Sequence, residues 1–68
     1  MNRQEIIRDI KKEIGNFPNI TEIADYMQQS RESVREMMAG VEYYATGKAK
    51  KYFVNDVADR ILATRAVG

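Results

Sequence analysis

The sequence predicts a mainly α-helical domain that carries one small β-hairpin. Two observations lead there. Apolar residues recur at helical spacing in four separate stretches, and each stretch is flanked by residues suited to starting or stopping a helix. Between the third and fourth stretches the pattern changes to two runs rich in aromatic and β-branched residues, Val41–Ala45 and Lys51–Val54, joined by a short segment containing Gly47. A chain of 68 residues holds one domain, and a domain of that size buries a modest share of its surface. The expected organisation is a single unit over 1–68.

The first stretch, Arg3–Ile14, places Ile6, Ile7, Ile10 and Ile14 within an arc of roughly 100° on a helical wheel, leaving Arg8, Asp9, Lys11 and Lys12 for the other side. Gly15-Asn16 stops this helix, because glycine takes the left-handed conformation that ends helices. Phe17-Pro18 follows as an extended connector, completing segment 1–18. Asn19 is placed to cap a second helix beginning at Ile20, with Glu22 reaching back to form a capping box, and Thr21 is an alternative cap. Ile23, Ala24 and Met27 face inward, and the helix ends near Gln28-Gln29. Ser30 caps a third helix, Arg31 to about Ala39, whose inward stripe is Val34, Met37 and Met38; Gly40 stops it. Segment 19–39 is thus a pair of short helices.

Segment 41–54 is the hairpin, with Thr46-Gly47-Lys48-Ala49-Lys50 as its loop and Tyr43, Tyr44, Tyr52 and Phe53 expected as core and cross-strand partners rather than as base-stacking platforms. Asn55 is expected to cap the last helix, Asp56 to about Arg65, which fills segment 55–66 with Val57, Ile61 and Leu62 facing inward. Asp56 and Asp59 lie near the positive end of that helix, which accounts for them without any chemistry. Met27, Met37 and Met38 are expected as core side chains at helical spacing, although methionines also line adaptable grooves.

Composition narrows the function. The chain has no cysteine and no histidine, so disulfides, Cys/His zinc sites, Ser-His-Asp triads and Cys-His nucleophiles are excluded. Carboxylate pairs remain, but so short a chain has little room for a cleft that excludes water. No enzyme activity, cofactor or metal is expected. No apolar run reaches the roughly 18 residues of a membrane span, and Met1-Asn2-Arg3-Gln4-Glu5 lacks the apolar stretch of a secretory signal, so a cytoplasmic protein without membrane contact is expected. A net charge of +1 leaves the choice of partner to local charge.

Two short helices joined by a three- or four-residue turn, the second capped by serine, have the outline of a DNA-reading helix-turn-helix. Ala24 suits the point where two such helices cross closely, while Ile20, Ile23, Met27, Val34 and Met37 fill the shared core. An ordinary helical hairpin has the same outline. The run Thr21-Glu22-Ile23-Ala24-Asp25-Tyr26-Met27 followed by Ser30-Arg31-Glu32-Ser33-Val34-Arg35 resembles the first half of MerR-like and excisionase-like winged domains. Lys51-Tyr52-Phe53-Val54-Asn55-Asp56-Val57 resembles the second half, in which the last strand runs directly into a helix. The resemblance spans Asn19 to Leu62 and implies a winged helix-turn-helix fold: helix, helix-turn-helix, two-stranded wing, C-terminal helix. Such proteins are small DNA-binding factors of phages or mobile elements that bend DNA for recombination, or they are transcription regulators. This chain departs from the pattern in two places. Its turn holds Gln28-Gln29 where many such proteins carry glycine, and its helix Arg3–Ile14 lies outside the family core, where it would pack on that core or mediate dimerisation.

The implied partner is double-stranded DNA, with a second copy on DNA, a recombinase or a regulatory protein as further partners. A recognition helix over 31–39 would present Glu32, Arg35, Glu36 and Ala39 on its outward face, with Arg31 and Ser33 near its leading end and Gln29 and Ser30 just ahead as further DNA contacts; arginine pairs with guanine edges, and glutamate accepts from cytosine but repels phosphate. The same residues also read as a solvated face with Arg31–Arg35 and Glu32–Glu36 at helical spacing. Lys48, Lys50 and Lys51 fall within four residues with no acidic neighbour, and with Thr46 they form a wing tip suited to phosphate. Lysines also guard exposed strand edges. A protein-interaction module on this scaffold is the competing function, favoured by the near-zero net charge and by Glu32 and Glu36.

Overall fold

The computed structural model describes residues 2–65 as four helices and one two-stranded antiparallel sheet: α1 Arg3–Glu13, α2 Ile20–Met27, α3 Arg31–Met37, β1 Tyr44–Thr46, β2 Ala49–Lys51 and α4 Val54–Ala63. No helix among the described residues is long and apolar enough to cross a membrane. The last helix ends at Ala63 rather than near Arg65, and residue 66, the last of segment 55–66, lies outside the described residues.

Local capping chemistry fixes the first three helices. Asn2 and Glu5 form a capping box on α1, and Asn19 and Glu22 form a second on α2, where Glu22 N donates to Asn19 Oδ1 at 2.8 Å and Asn19 N to Glu22 Oε1 at 3.0 Å. Asn19 rather than Thr21 is therefore the cap. Ser30 caps α3, its Oγ accepting from Ser33 N at 3.1 Å. The turn between α2 and α3 is closed by Gln28, which adopts the left-handed conformation at φ 56°, ψ 44°. Gln29 N donates to Ala24 O at 3.0 Å and Gln28 N to Asp25 O at 3.3 Å, the pair of bonds that accompanies a left-handed residue at a helix end. A side chain bearing a Cβ is strained there, and glycine is not. Gln28→Gly is expected to raise stability by up to about 1 kcal/mol, the relief being partly offset by the greater freedom of an unfolded glycine. Urea denaturation checks the sign.

The core draws on every helix. Ile6, Ile7 and Ile10 of α1, Ile23 and Ala24 of α2, Val34 of α3, Met38 just after it, Tyr52, and Val54, Val57 and Ala58 of α4 are buried together. Helix α1 packs along α4, α2 packs on α3, and no polar side chain is buried among the described residues. Met27 and Met37 are half-buried against this core. A second tie joins α1 to α2: the Tyr26 hydroxyl donates to Asp9 Oδ2. Partial burial of Tyr26, then that hydrogen bond and the neighbouring Asp9 and Glu13 charges, push its pKa up to about 12. Because the folded state holds this proton more tightly than the unfolded chain, the contribution of Tyr26 is complete below about pH 10 and disappears as pH rises through about 12. Absorbance at the phenolate band should show a late-titrating tyrosine that vanishes in Tyr26→Phe, together with a loss of stability in the parent over that pH window.

Several boundaries differ from expectation. Helix α3 ends at Met37 rather than Ala39, and the chain turns through Met38–Gly40, with Gly40 at φ 82°. The strands sit nearer the turn than the aromatic runs suggested: Tyr44 pairs with Lys51, Ala45 with Lys50 and Thr46 with Ala49. Only Gly47 and Lys48 form the turn, and Gly47 carries the positive φ of 62° that a tight two-residue hairpin needs at its first central position. Most of the expected loop is therefore strand. Helix α4 starts at Val54 with Phe53 at its cap position and no side-chain cap, so Asn55 lies inside the first turn instead of capping it. Tertiary bonds fix that start: Tyr52 N donates to Pro18 O at 2.9 Å and Val54 N to Asn16 O at 3.0 Å. These bonds, with a bridge between Asn19 and Lys51, attach β2 to the connector ahead of α2.

Candidate functional site

Gln29 lies exposed in the α2–α3 turn, and Ser30 follows it as the α3 cap. Arg31, Glu32, Ser33, Arg35 and Glu36 are all exposed, whereas Val34 is buried, so α3 is held by one apolar edge and offers a wholly polar face to solvent. Ser33 is engaged locally, since the Ser30 hydroxyl donates to its Oγ at 2.9 Å. Arg31 and Arg35 form no ion pair among the described residues, where the salt bridge is Arg3 Nε to Asp59 Oδ1 at 2.6 Å.

The remaining candidates gather on the hairpin. Thr46 ends β1, Lys48 occupies the turn, and Lys50 and Lys51 lie on β2. Residues 43–54 contain no carboxylate, so nothing on the hairpin itself neutralises the three lysines. Successive side chains on a strand point to opposite faces, which separates Lys50 from Lys51. Lys50 Nζ lies 5.0 Å from the centre of the Tyr43 ring, a cation–π contact. Lys51 lies on the other face beside Tyr44 and Thr46.

The aromatic residues correct one expectation. Tyr52 is buried and Phe53 half-buried, but Tyr43 and Tyr44 are exposed at 49% and 57%, and with Phe17 at 46% they are the large apolar side chains left open to solvent. Phe17 stands edge-on to Tyr44 with ring centres 5.5 Å apart and lies 5.6 Å from Phe53. Phe17, Tyr44, Thr46 and Lys51 line an open, mainly apolar ledge on the outer face of the hairpin. A sequence signal for half of this was present. Tyr43 and Tyr44 are adjacent, so no strand register could bury both.

The site offers hydrogen-bond donors, cations and exposed rings. Compared with known proteins, the chain matches no family model, no curated protein and no solved structure.

Proposed function

We propose that this chain is a small DNA-binding protein in which α2 and α3 act as a helix-turn-helix and the β1–β2 hairpin as its wing. Its job would be sequence-selective binding, either to control transcription or to shape DNA for a recombinase, as in the MerR-like and excisionase-like proteins it resembles. The observation that carries the reading is the α2–α3 pair. A three-residue turn, Gln28–Ser30, closed by a left-handed residue, sets down a short helix whose outward face is entirely polar and whose two arginines are free of ion pairs among the described residues. Short, exposed and rigidly seated is what a helix needs to enter the major groove, which admits one helix and presents guanine O6 and N7 to arginine. The unneutralised lysines of the hairpin support the reading from a second element, since cations there suit phosphate.

The test selects preferred duplexes from a random pool at low salt, where even non-specific binding is visible. Arg35→Ala is expected to change the order of preference and to cost about 1 to 3 kcal/mol on the best site. Glu32 and Glu36 on the same face favour a protein-interaction role, and absence of duplex binding by the parent at low salt would overturn the DNA-binding reading and shift the preference to that role.

A further inference from the structure

We propose that the outer face of the hairpin is a stacking platform for an unpaired nucleobase, with Tyr44 and Phe17 as its rings and Lys51 as the contact to the adjoining phosphate. The inference rests on reading the hairpin as a nucleic-acid surface, and it adds a partner that α3 does not explain: a strand whose base faces are open.

The exposed rings motivate it. A small domain with a full core has no packing reason to leave Phe17 and Tyr44 about half exposed on one ledge. Paired bases of a duplex hide their faces in the stack, so phosphate contact alone would call for the lysines and not for the rings. The two rings stand edge-to-face at 85° and do not stack on each other, and Tyr44, 57% exposed and without the second aromatic contact that Phe17 makes to Phe53, keeps open ring surface for a third aromatic plane. Charge decides the class of that plane. Lys51 is paired with Tyr44 across the sheet and borders the same ledge, Lys48 and Lys50 follow within the hairpin, and residues 43–54 carry no carboxylate. An apolar peptide would have no use for the lysine that borders this groove, Lys51, whereas a strand that alternates base and phosphate matches a ring with a cation beside it, and Lys48 in the adjoining turn extends the positive charge along the hairpin. Tyr43, just before β1 and on the other face, already has Lys50 over its ring, which leaves Tyr44 as the more exposed tyrosine and the one in the sheet.

The chain has four tyrosines and no tryptophan, so its intrinsic emission reports on tyrosine directly. A single-stranded oligothymidylate of about 12 nucleotides, within the site size of small single-strand binders, is titrated into the protein at low salt, with a duplex of mixed sequence in parallel. The expected result is binding with quenched tyrosine emission. Tyr44→Leu should weaken oligothymidylate binding by about tenfold, as loss of one stacked base does, leave duplex binding unchanged, and Tyr44→Phe should restore the affinity. Tyr44 is exposed, so both variants are expected to keep the parent's far-ultraviolet circular dichroism. Oligothymidylate that does not bind, or a Tyr44→Leu that affects both nucleic acids equally, overturns the platform. So does sedimentation of free protein showing a dimer that Tyr44→Leu dissolves, since the ledge is then a contact between copies. Duplex binding in the parallel titration bears separately on the role of α3, so the two readings can fail independently.

Discussion

Ile10→Ala is expected to destabilise the domain by about 2 to 5 kcal/mol, the cost of deleting a large buried side chain and leaving a cavity. Ile10 is completely buried, in the middle of α1, among side chains contributed by the other helices. At about 0.05 to 0.15 kcal/mol per residue a chain of 68 residues has only about 3 to 10 kcal/mol of net stability, so this one substitution removes a large part of it. Thermal unfolding should show a lower midpoint and, at the upper end of the range, a population already unfolded at room temperature. Arg3→Ala on the same helix is the contrast. It breaks the Arg3–Asp59 ion pair, but both groups are about half exposed, and such pairs contribute at most about 1 kcal/mol. The comparison decides what α1 is for. If Ile10→Ala unfolds the domain while Arg3→Ala does not, α1 belongs to the single core; if Ile10→Ala matches the parent in stability, α1 is an appendage and its apolar stripe must serve a partner.

What could be read from the sequence and what could not divides along the range of the interactions involved. Asn19 with Glu22, and Ser30 with Ser33, satisfy helix ends within three residues, so side-chain chemistry alone locates the starts of α2 and α3. The isoleucines of the first stretch needed only their spacing: Ile6, Ile7 and Ile10 of α1 are buried, and Ile14, just past its end, is half-buried. The start of α4 was misplaced because Asn55 is a good cap in isolation, while the backbone there is set by Asn16 and Pro18, more than 30 residues away in sequence. The hairpin register was missed for a different reason. The aromatic runs drew the strands outward, but Gly47 with its positive φ allows a two-residue turn, and strand pairing begins directly beside it. Once the register is set, Tyr44 must share a face with Lys51, which is why the exposed ledge could not be seen before the fold. The polar residues of α3 were identified as exposed from their position opposite Val34, and the structure keeps them so.

Replacing Lys48, Lys50 and Lys51 together with alanine is expected to weaken binding to every duplex by similar factors, because bonds to phosphate carry no sequence information. Salt dependence tells how many phosphates the lysines neutralise. Each one contributes about 0.9 to the slope of log K against log salt, so removing all three cations lowers its magnitude by about 2.7. Between about 50 and 200 mM salt, that difference means the variant loses about 40-fold less of its affinity than the parent does. Lys48 and Lys50 are exposed, Lys51 is half-buried, and none forms an ion pair among the described residues, so the fold should survive their removal. The cation–π contact at stake, Lys50 over Tyr43, contributes about 0.5 to 1 kcal/mol at an exposed site, and Lys51 gives up its packing beside Tyr44 and Thr46. Titrations of parent and variant on one preferred and one scrambled duplex check the result. Equal weakening on both, with a shallower slope, assigns the hairpin to the phosphate backbone. A slope that does not change removes the hairpin from the duplex interface, and weakening confined to the preferred duplex means that these lysines read bases, reversing the division of labour proposed between α3 and the hairpin.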